Sequence, residues 1–307
     1  MDAPLLTAKE AIELSDGRML SYSAIGPSDG VPVLYFHGAI GSPPQSDTML
    51  EESIARWRIR YLMLDRPGFG GSDSHPGRRV ADFARDTEEL ADALGLGRFS
   101  LLGVSAGAPY ALACAAAMPD RVAATASVST IPPGFSPLRS TRTAPHYRLA
   151  LMALLRAPRA IRGIADPVLA LARDRPELFR RLFAVAALGG DRELLRASEA
   201  RELAARRFLA ATSRGSWPMI EDFLVCRSKW GFDPEEIRCE VHLWHGLRDP
   251  VIPIAHADEV RRRLPRVWPR FIKAGHFLLR SRIGEILRPL AKAASEDDVE
   301  LPQRLAA

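Results

Sequence analysis

The chain has 307 residues, which is long enough for one large α/β domain or for a core domain with an inserted subdomain. Its share of 47% hydrophobic and 26% charged residues is typical of a soluble globular protein. Its formal net charge of +5 comes from residues 139–214, where 16 arginines outnumber 7 acidic residues, while the rest of the chain is net acidic. The arginines are spread along amphipathic helical patterns without clustered aromatic residues, which argues against nucleic-acid binding. No apolar run reaches the roughly 18 residues of a membrane-spanning helix, so we expect no membrane span.

The N-terminus and the cysteines indicate the compartment. The first residues, MDAPLLTAKEAIEL, lack the basic start and apolar core of a signal peptide. Cys114, Cys226 and Cys239 are odd in number and have no metal-ligand spacing, so we expect buried, reduced thiols. These features together predict a cytoplasmic protein.

In the first part of the chain, strand patterns alternate with helix patterns. KEAIELSDGRMLSYSAIG predicts a hairpin around Asp16-Gly17, a strong turn signal. The segments that follow alternate as strand VPVLYFHG, a helix over about 45–57, strand IRYLML, helix VADFARDTEELADALGL, strand FSLLGV, helix AGAPYALACAAAMPD and strand RVAATASVST. Such alternation predicts a largely parallel sheet with helices on both faces.

The alternation stops between Ile131 and Glu236. This segment has four helical patterns interrupted by prolines: HYRLALMALLRAP, DPVLALARDRPELFRRLFAVAALGG, DRELLRASEARELAARRFLAATS and WPMIEDFLVCRSKWGF. Alternation then resumes with strand IRCEVHLWHG, a helix over about 254–264, strand RVWPRFIKAG and a helix from His276 onward. We therefore predict an α/β fold with a mostly parallel sheet, a core domain of residues 1–130 and 237–307, and an inserted all-helical cap of residues 131–236.

The motif Gly-Val-Ser-Ala-Gly at 103–107 lies between a predicted buried strand and an Ala-rich helix. In this context a sharp strand–turn–helix bend exposes the serine hydroxyl above the sheet, which makes Ser105 a candidate nucleophile. The small residues at 103 and 107 allow the strand and the helix to approach each other closely. Pro109 falls in the first helical turn, where the missing N–H has no intrahelical partner to lose.

A nucleophilic serine needs a base and a group that orients the base. His276 and Asp249 each come just past a predicted strand, so both are expected above the same edge of the sheet as Ser105. A strand–turn–helix bend that carries the nucleophile is called a nucleophile elbow, and the chain order Ser105, Asp249, His276 is the order expected with this type of elbow.

Other polar residues compete for these roles. His37 is an alternative base, and Asp222 or Asp233 are alternative orienting groups. Five further residues have structural interpretations as turn, packing or surface groups, namely Asp65, Asp73, His242, His245 and His256.

The motifs FHGAIGS, DRPGFGGSD, GVSAG, WHGLRDPVIP and AGH, in this order, make the chain resemble the α/β-hydrolase fold superfamily, in the form with a helical cap inserted after strand six. The resemblance implies that Ser105 is the nucleophile, His276 the general base and then acid, and Asp249 the group that fixes the imidazole tautomer. It also implies an oxyanion hole formed by the backbone N–H groups of Ala39 and Ala106, with His37 and Gly38 holding the first of these loops.

Members of that superfamily that open epoxides or displace halide carry an aspartate at the elbow, so the serine implies acyl transfer. The resemblance therefore implies a serine hydrolase that acts on a carboxylic ester, thioester or lactone. Alternatives with the same scaffold are a proline iminopeptidase-like peptidase, a hydrolase of carbon–carbon bonds, a non-hydrolytic enzyme and a ligand-binding protein without catalysis.

The expected partner is a small molecule with an apolar acyl or alcohol group, and the sequence leaves the oligomeric state open. Candidate substrate contacts are His37, Gly38, Phe135, Trp217 and Phe277. The cap aromatic residues, of which one or two are expected to roof the pocket, are Tyr147, Phe183, Trp217, Phe223 and Trp230. No metal or organic cofactor is implied, because the Gly-rich turn at 68–71 lacks both the P-loop Lys-Ser/Thr and the dinucleotide spacing.

Overall fold

Eight strands form one sheet at the centre of the computed structural model, which describes residues 9–39, 48–135, 145–186, 191 and 198–295. The strands are β1 Glu10–Glu13, β2 Met19–Ile25, β3 Val31–Phe36, β4 Ile59–Leu64, β5 Phe99–Val104, β6 Val122–Val128, β7 Glu240–Gly246 and β8 Val267–Ile272. Their order across the sheet is β1-β2-β4-β3-β5-β6-β7-β8. β2 pairs antiparallel with β1 and with β4, and every other pair is parallel.

The predicted hairpin at the start of the chain is confirmed. Glu13 pairs with Met19 across the turn, and Gly17 there has a φ of 82°, in the left-handed region that glycine adopts without a steric penalty.

Helices cover both faces of the sheet, as the alternating pattern predicts. The helices that flank the sheet are α1 Thr48–Trp57, α2 Phe83–Ala93, α3 Ala108–Ala117, α9 Ile254–Arg261 and α10 Leu278–Ala294. One apolar cluster packs α1 and α10 against the sheet, and a second packs α2, α3 and α9 against the opposite face. The predicted fold class is therefore confirmed.

The central strands are buried on both faces, which explains their continuous apolar runs. In β3, Val33 and Tyr35 belong to the cluster with α1 and α10, while Leu34 and Phe36 belong to the cluster with α2 and α3. Because successive side chains of a strand point to opposite faces, a run of four apolar residues serves both layers.

Between residues 131 and 236, the described part of the chain contains helices and no strand. The helices are α4 Pro145–Arg156, α5 Pro158–Asp174, α6 Pro176–Ala186, α7 Ser198–Ala211 and α8 Trp217–Arg227. The predicted helix starting near Asp166 instead begins at Pro158 and continues through Pro167. A tertiary contact holds this turn, because Asp166 Oδ1 accepts hydrogen bonds from the backbone N–H and the hydroxyl of Ser216, both at 2.7 Å.

Two other helix boundaries differ from the sequence prediction. α1 begins at Thr48 among the described residues, and the predicted start near Gln45 lies outside them. The last helix begins at Leu278, after His276 and Phe277, whose N–H groups bond to a side chain from the segment 131–236. Among the described residues, no helix combines the length and apolarity that crossing a bilayer requires.

Candidate active site

The chain turns sharply at Ser105, between the end of β5 at Val104 and the start of α3 at Ala108. Ser105 has a φ of 53°, in the left-handed region where a residue with a side chain is strained by about 1–3 kcal/mol. Residues 105–107 form a single 3-10 turn that leads directly into the helix. The predicted strand–turn–helix context of the serine is therefore present.

The two glycines of the motif permit close approach of neighbouring backbone. A Cβ on Gly107 would overlap the carbonyl oxygens of Phe36 and His37 at the end of β3. A Cβ on Gly103 would overlap the backbone of α3 at Ala108. The serine turn thus packs directly against the neighbouring strand and its own helix, with no room for side chains.

Ser105, His276 and Asp249 form one hydrogen-bonded chain. His276 Nε2 lies 3.0 Å from Ser105 Oγ, and His276 Nδ1 lies 2.8 Å from Asp249 Oδ2. The three residues are 6–8% exposed and come from the loops after β5, β7 and β8. Parallel strands bring these loops to one edge of the sheet although Ser105 and His276 are 171 residues apart.

Asp249 is held in place by its own turn. Its Oδ1 accepts the backbone N–H groups of Val251 and Ile252 at 2.8 and 2.9 Å, which leaves Oδ2 directed at the imidazole. His245 supports the same turn, because its Nε2 lies 2.7 Å from the Ile252 carbonyl and 3.6 Å from Asp249 Oδ2.

The electrostatics of the pair favour an ionised Asp249 and a basic His276. Burial by itself raises the pKa of Asp249, but the charge and the hydrogen bond of His276 outweigh it and hold this pKa below its ordinary value. Burial likewise lowers the pKa of His276, but the charge and hydrogen bond of Asp249, together with the charge of Asp191, raise it above 6.5. A raised pKa makes the imidazole a stronger acceptor for a serine proton.

The alternative base, His37, lies in a different environment. Burial and the neighbouring Arg66 charge lower its pKa to about 4, so the ring is neutral near pH 7. Its Nδ1 lies 2.7 Å from the Gly38 carbonyl, and its ring packs edge-on against Phe69 at 4.8 Å between ring centroids. These contacts fix the loop after β3.

The alternative orienting groups do not contact His276. Asp222 bonds to Tyr110, Arg66 and Arg78, and Asp233 accepts the backbone N–H of Glu235.

Three further polar candidates, Asp65, Asp73 and His256, make contacts that stabilise turns or packing. Asp65 and Asp73 brace the Gly-rich turn, because Asp65 Oδ2 accepts the backbone N–H of Gly71 at 3.2 Å and the Asp73 carbonyl accepts that of Gly68 at 3.0 Å. His256 is buried against Phe135, with 5.0 Å between ring centroids.

The loop predicted to form the oxyanion hole lies beside the serine. A Cβ on Gly38 would be 3.3 Å from the Cβ of Ser105, so the backbone of this loop runs against the nucleophile. Ala39 follows and is half-buried, and Ala106 is fully buried in the first turn after the serine. N–H groups in a first helical turn lack intrahelical partners and are available to an anion.

The predicted substrate contacts differ in exposure. Phe277 is half-buried beside His276, with 5.8 Å between ring centroids, while Trp217 is half-buried beneath the Arg162 guanidinium. Phe135 is 1% exposed and packs edge-on against Phe223. Trp230 is buried and stacks on Phe232, and the side chains of Tyr147 and Phe183 lie outside the described residues.

A buried polar cluster beneath the serine turn has no counterpart in the sequence prediction. Arg66 is fully buried, pairs with Asp222 and lies 3.4 Å from the Ala106 carbonyl. From the sequence, Asp222 is an alternative orienting group for the base, and no local pattern indicates its pairing with Arg66, because the two residues are 156 positions apart.

Asp191 is a second residue that the sequence did not single out. Its carboxylate accepts the backbone N–H groups of His276 and Phe277. Among the described residues, no three His, Cys, Asp or Glu side chains come together as metal ligands.

Known proteins with similar sequences match part of the chain. A non-heme chloroperoxidase of Streptomyces lividans is 34% identical over 124 residues, which are 40% of this chain and 45% of that protein. A proline iminopeptidase of Neisseria gonorrhoeae is 28% identical over 118 residues, or 36% of each chain. The chain thus spans less than half the length of these curated relatives.

Similarity of structure extends further along the chain. An esterase from Rhodococcus sp. ECU1013 superimposes with a TM-score of 0.63 at 22% identity, covering 93% of this chain and 98% of that one, which supports the fold alone. The family model of the α/β hydrolase fold matches residues 31–280, which include the serine turn, Asp249 and His276. The chain therefore belongs to the α/β hydrolase fold family.

Proposed function

We propose that the chain is a serine hydrolase that cleaves a carboxylic ester, thioester or lactone through an acyl-enzyme on Ser105. One observation carries the proposal: the unbroken chain of contacts from Ser105 Oγ through the His276 ring to Asp249, at 3.0 and 2.8 Å. A serine hydroxyl is a weak nucleophile unless an adjacent base takes its proton, and the base needs a third group to fix its tautomer. All three groups are within hydrogen-bonding reach here.

In the first half of the reaction, Ser105 Oγ attacks the carbonyl carbon while its proton moves to His276 Nε2. Asp249 stabilises the imidazolium that forms. The carbonyl oxygen becomes an oxyanion, and the N–H groups of Ala39 and Ala106 are its proposed donors. The loss of one such donor typically costs about 3 kcal/mol of transition-state stabilisation.

The oxyanion then re-forms the carbonyl, the bond to the leaving oxygen or sulfur breaks, and His276 Nε2–H supplies the proton to that atom, which leaves the acyl group on Ser105 Oγ. Water then attacks the acyl-enzyme carbonyl and gives a proton to the same nitrogen. The bond to Ser105 Oγ breaks, the oxygen recovers its proton from His276, and the carboxylic acid leaves.

We further propose that the core comprises residues 1–130 and 237–307 and that the cap of residues 131–236 roofs the site. The described cap helices and the half-buried Phe277 beside His276 support an apolar acyl or alcohol group as the substrate's recognised part.

The test is hydrolysis of p-nitrophenyl esters from acetate to decanoate, with mass spectrometry after fluorophosphonate labelling. We expect turnover and a single adduct on Ser105, both lost in Ser105→Ala. Ser228→Ala is the matched control, because Ser228 is exposed and bonds only to its own helix in the described structure, at the Leu224 carbonyl. Labelling without turnover would favour a carbon–carbon hydrolase or a non-hydrolytic enzyme, and the absence of both would favour a ligand-binding protein.

A second candidate is a peptidase that removes N-terminal proline, favoured by the match to the Neisseria gonorrhoeae protein of that name. Prolyl β-naphthylamide is the discriminating substrate. The buried cap carboxylate of Asp191 already accepts two backbone N–H groups, which makes it a poor anchor for a substrate amine. Faster cleavage of this amide than of every p-nitrophenyl ester would replace the esterase proposal with the peptidase.

A further inference from the structure

Asp191 joins the helical segment to the loop that carries His276. Its Oδ2 accepts the backbone N–H of His276 at 2.9 Å, and its Oδ1 accepts that of Phe277 at 2.8 Å. Asp191 is 4% exposed, and its partners are 85 and 86 residues away in the sequence. Two charge-assisted hydrogen bonds in a buried setting hold this backbone firmly.

The loop is shaped to receive this carboxylate. A Cβ on Gly275 would overlap both the carboxyl group and the backbone nitrogen of Asp191, so only glycine fits beside it. On the opposite side of the backbone, Ser129 Oγ lies 3.3 Å from the His276 carbonyl. The backbone of His276 is thus bound on two sides: Ser129 binds its carbonyl, and Asp191 of the helical segment binds its N–H.

A second contact lies nearby. Glu199, at the start of α7, pairs with Arg280 on α10 at 3.0 Å, but its side chain is 72% exposed. This pair touches the helix after the loop and not the backbone of His276. The Glu199–Arg280 pair therefore serves as a control: it shows how much an exposed contact between the helical segment and α10 contributes to activity.

The charge of Asp191 also acts on the ring. The titratable groups that face His276 are Asp249 from the loop after β7, His245 near the end of β7, Ser105 from the elbow, and Asp191. Burial raises the pKa of Asp191, while the His276 charge and the two N–H groups oppose this shift. When ionised, Asp191 joins Asp249 in favouring the protonated imidazole.

We propose that Asp191 is a positioning residue: from the cap, it fixes the loop so that His276 Nε2 stays within reach of Ser105 Oγ. This role rests on the proposed hydrolase function. Because Asp191 belongs to the cap, the position of the cap on the core then affects the alignment of His276 with Ser105. A carboxylate at the start of α10 also stabilises that helix, so the test must separate alignment from stability.

The test compares Asp191→Ala, Asp191→Asn and the control Glu199→Gln with the native chain. In Asp191→Ala we expect kcat for a p-nitrophenyl ester to fall by about 10- to 100-fold with little change in KM, since a displacement of about 1 Å can cost about 10²-fold. Asp191→Asn keeps one accepting oxygen and removes the charge, so we expect partial rescue of kcat and an acidic limb of the kcat/KM profile moved to lower pH. Glu199→Gln should retain native kinetics.

The titration of His276, followed through isotope-labelled histidine ring signals, provides a readout that does not depend on turnover. We expect its pKa to fall in Asp191→Asn even if the native chain hydrolyses no ester, so failure of the proposed function stays distinguishable from failure of this inference. Native kcat and His276 titration in a folded Asp191→Ala would overturn the proposal. So would a rise in KM alone, or an equal loss of kcat in Glu199→Gln. If Asp191→Ala does not fold, Asp191→Asn decides by the same criteria.

Discussion

The buried carboxylate of Asp222 gives the most quantitative prediction. It lies on α8, fully buried, between the guanidinium groups of Arg66 and Arg78, and its Oδ1 accepts the Tyr110 hydroxyl at 2.8 Å. Arg66 is itself fully buried beneath the serine turn, so Asp222 is the counter-ion of a charge that water does not reach.

Asp222→Asn keeps the shape of the side chain and an acceptor for Tyr110 but removes the negative charge. The Arg66 charge then stays buried without the carboxylate that it pairs with in the described structure, and the Ala106 carbonyl beside it is uncharged. Removing one partner of a buried ion pair costs about 3–5 kcal/mol, because the remaining charge keeps its desolvation penalty and loses its attraction. We therefore expect the free energy of unfolding to fall by about this amount.

Urea unfolding followed by tryptophan fluorescence and circular dichroism measures the change. Asp258→Asn is the matched control, since Asp258 also pairs with two arginines, Arg261 and Arg262, but on the surface. An exposed pair contributes about 0.2–1 kcal/mol, so the control should lose little stability. Equal losses in the two variants would refute the view that burial of the Arg66 charge makes Asp222 necessary.

Further predictions concern the proposed base and the serine turn. The pKa of His276 is raised, and only the neutral imidazole accepts the serine proton, so kcat/KM should fall as the pH drops through a value above 6.5. In Asp249→Asn the His276 ring loses its counter-charge, so the midpoint of the kcat/KM profile should move to lower pH. We also expect kcat to drop by about 10⁴-fold, the loss typical of a triad aspartate replaced by asparagine. A pH–rate profile with an unmoved midpoint would contradict the assignment of Asp249. Gly107→Ala should abolish ester hydrolysis and lower the melting temperature because its methyl group overlaps the Phe36 carbonyl, whereas Gly97→Ala, with open space around it, should behave as native in both assays.

The cluster around Arg66 also bears on the proposed oxyanion hole. Arg66 Nη1 lies 3.4 Å from the carbonyl of Ala106, the residue whose N–H is the proposed donor. The Cys226 thiol lies 3.1 Å from the same carbonyl, and Cys226 shares α8 with Asp222. The segment after the elbow is thus contacted by Arg66, from the loop after β4, and by Cys226 of α8, while Asp222 of the same helix pairs with Arg66.

The local patterns of the sequence determined which segments form the sheet and which residues end its strands. Apolar runs such as Val33–Phe36 specify strands buried on both faces, and Gly103 and Gly107 specify the turn at Ser105, because these signals depend on neighbours a few residues apart. Since the carboxyl ends of parallel strands share one edge, the sequence also predicted that Ser105, Asp249 and His276 would lie together.

Only the tertiary structure decided the contacts that join distant segments. The order β1-β2-β4-β3-β5-β6-β7-β8 places β4 before β3, and no local period encodes that exchange. The continuation of α5 through Pro167 depends on the contact of Asp166 with Ser216, 50 residues away. In the sequence, Asp191 is one acidic residue of a helical pattern and Asp222 is only an alternative orienting group. The residues that bond to them are 85 and 156 positions away, and no periodic pattern of the sequence indicates such a pairing.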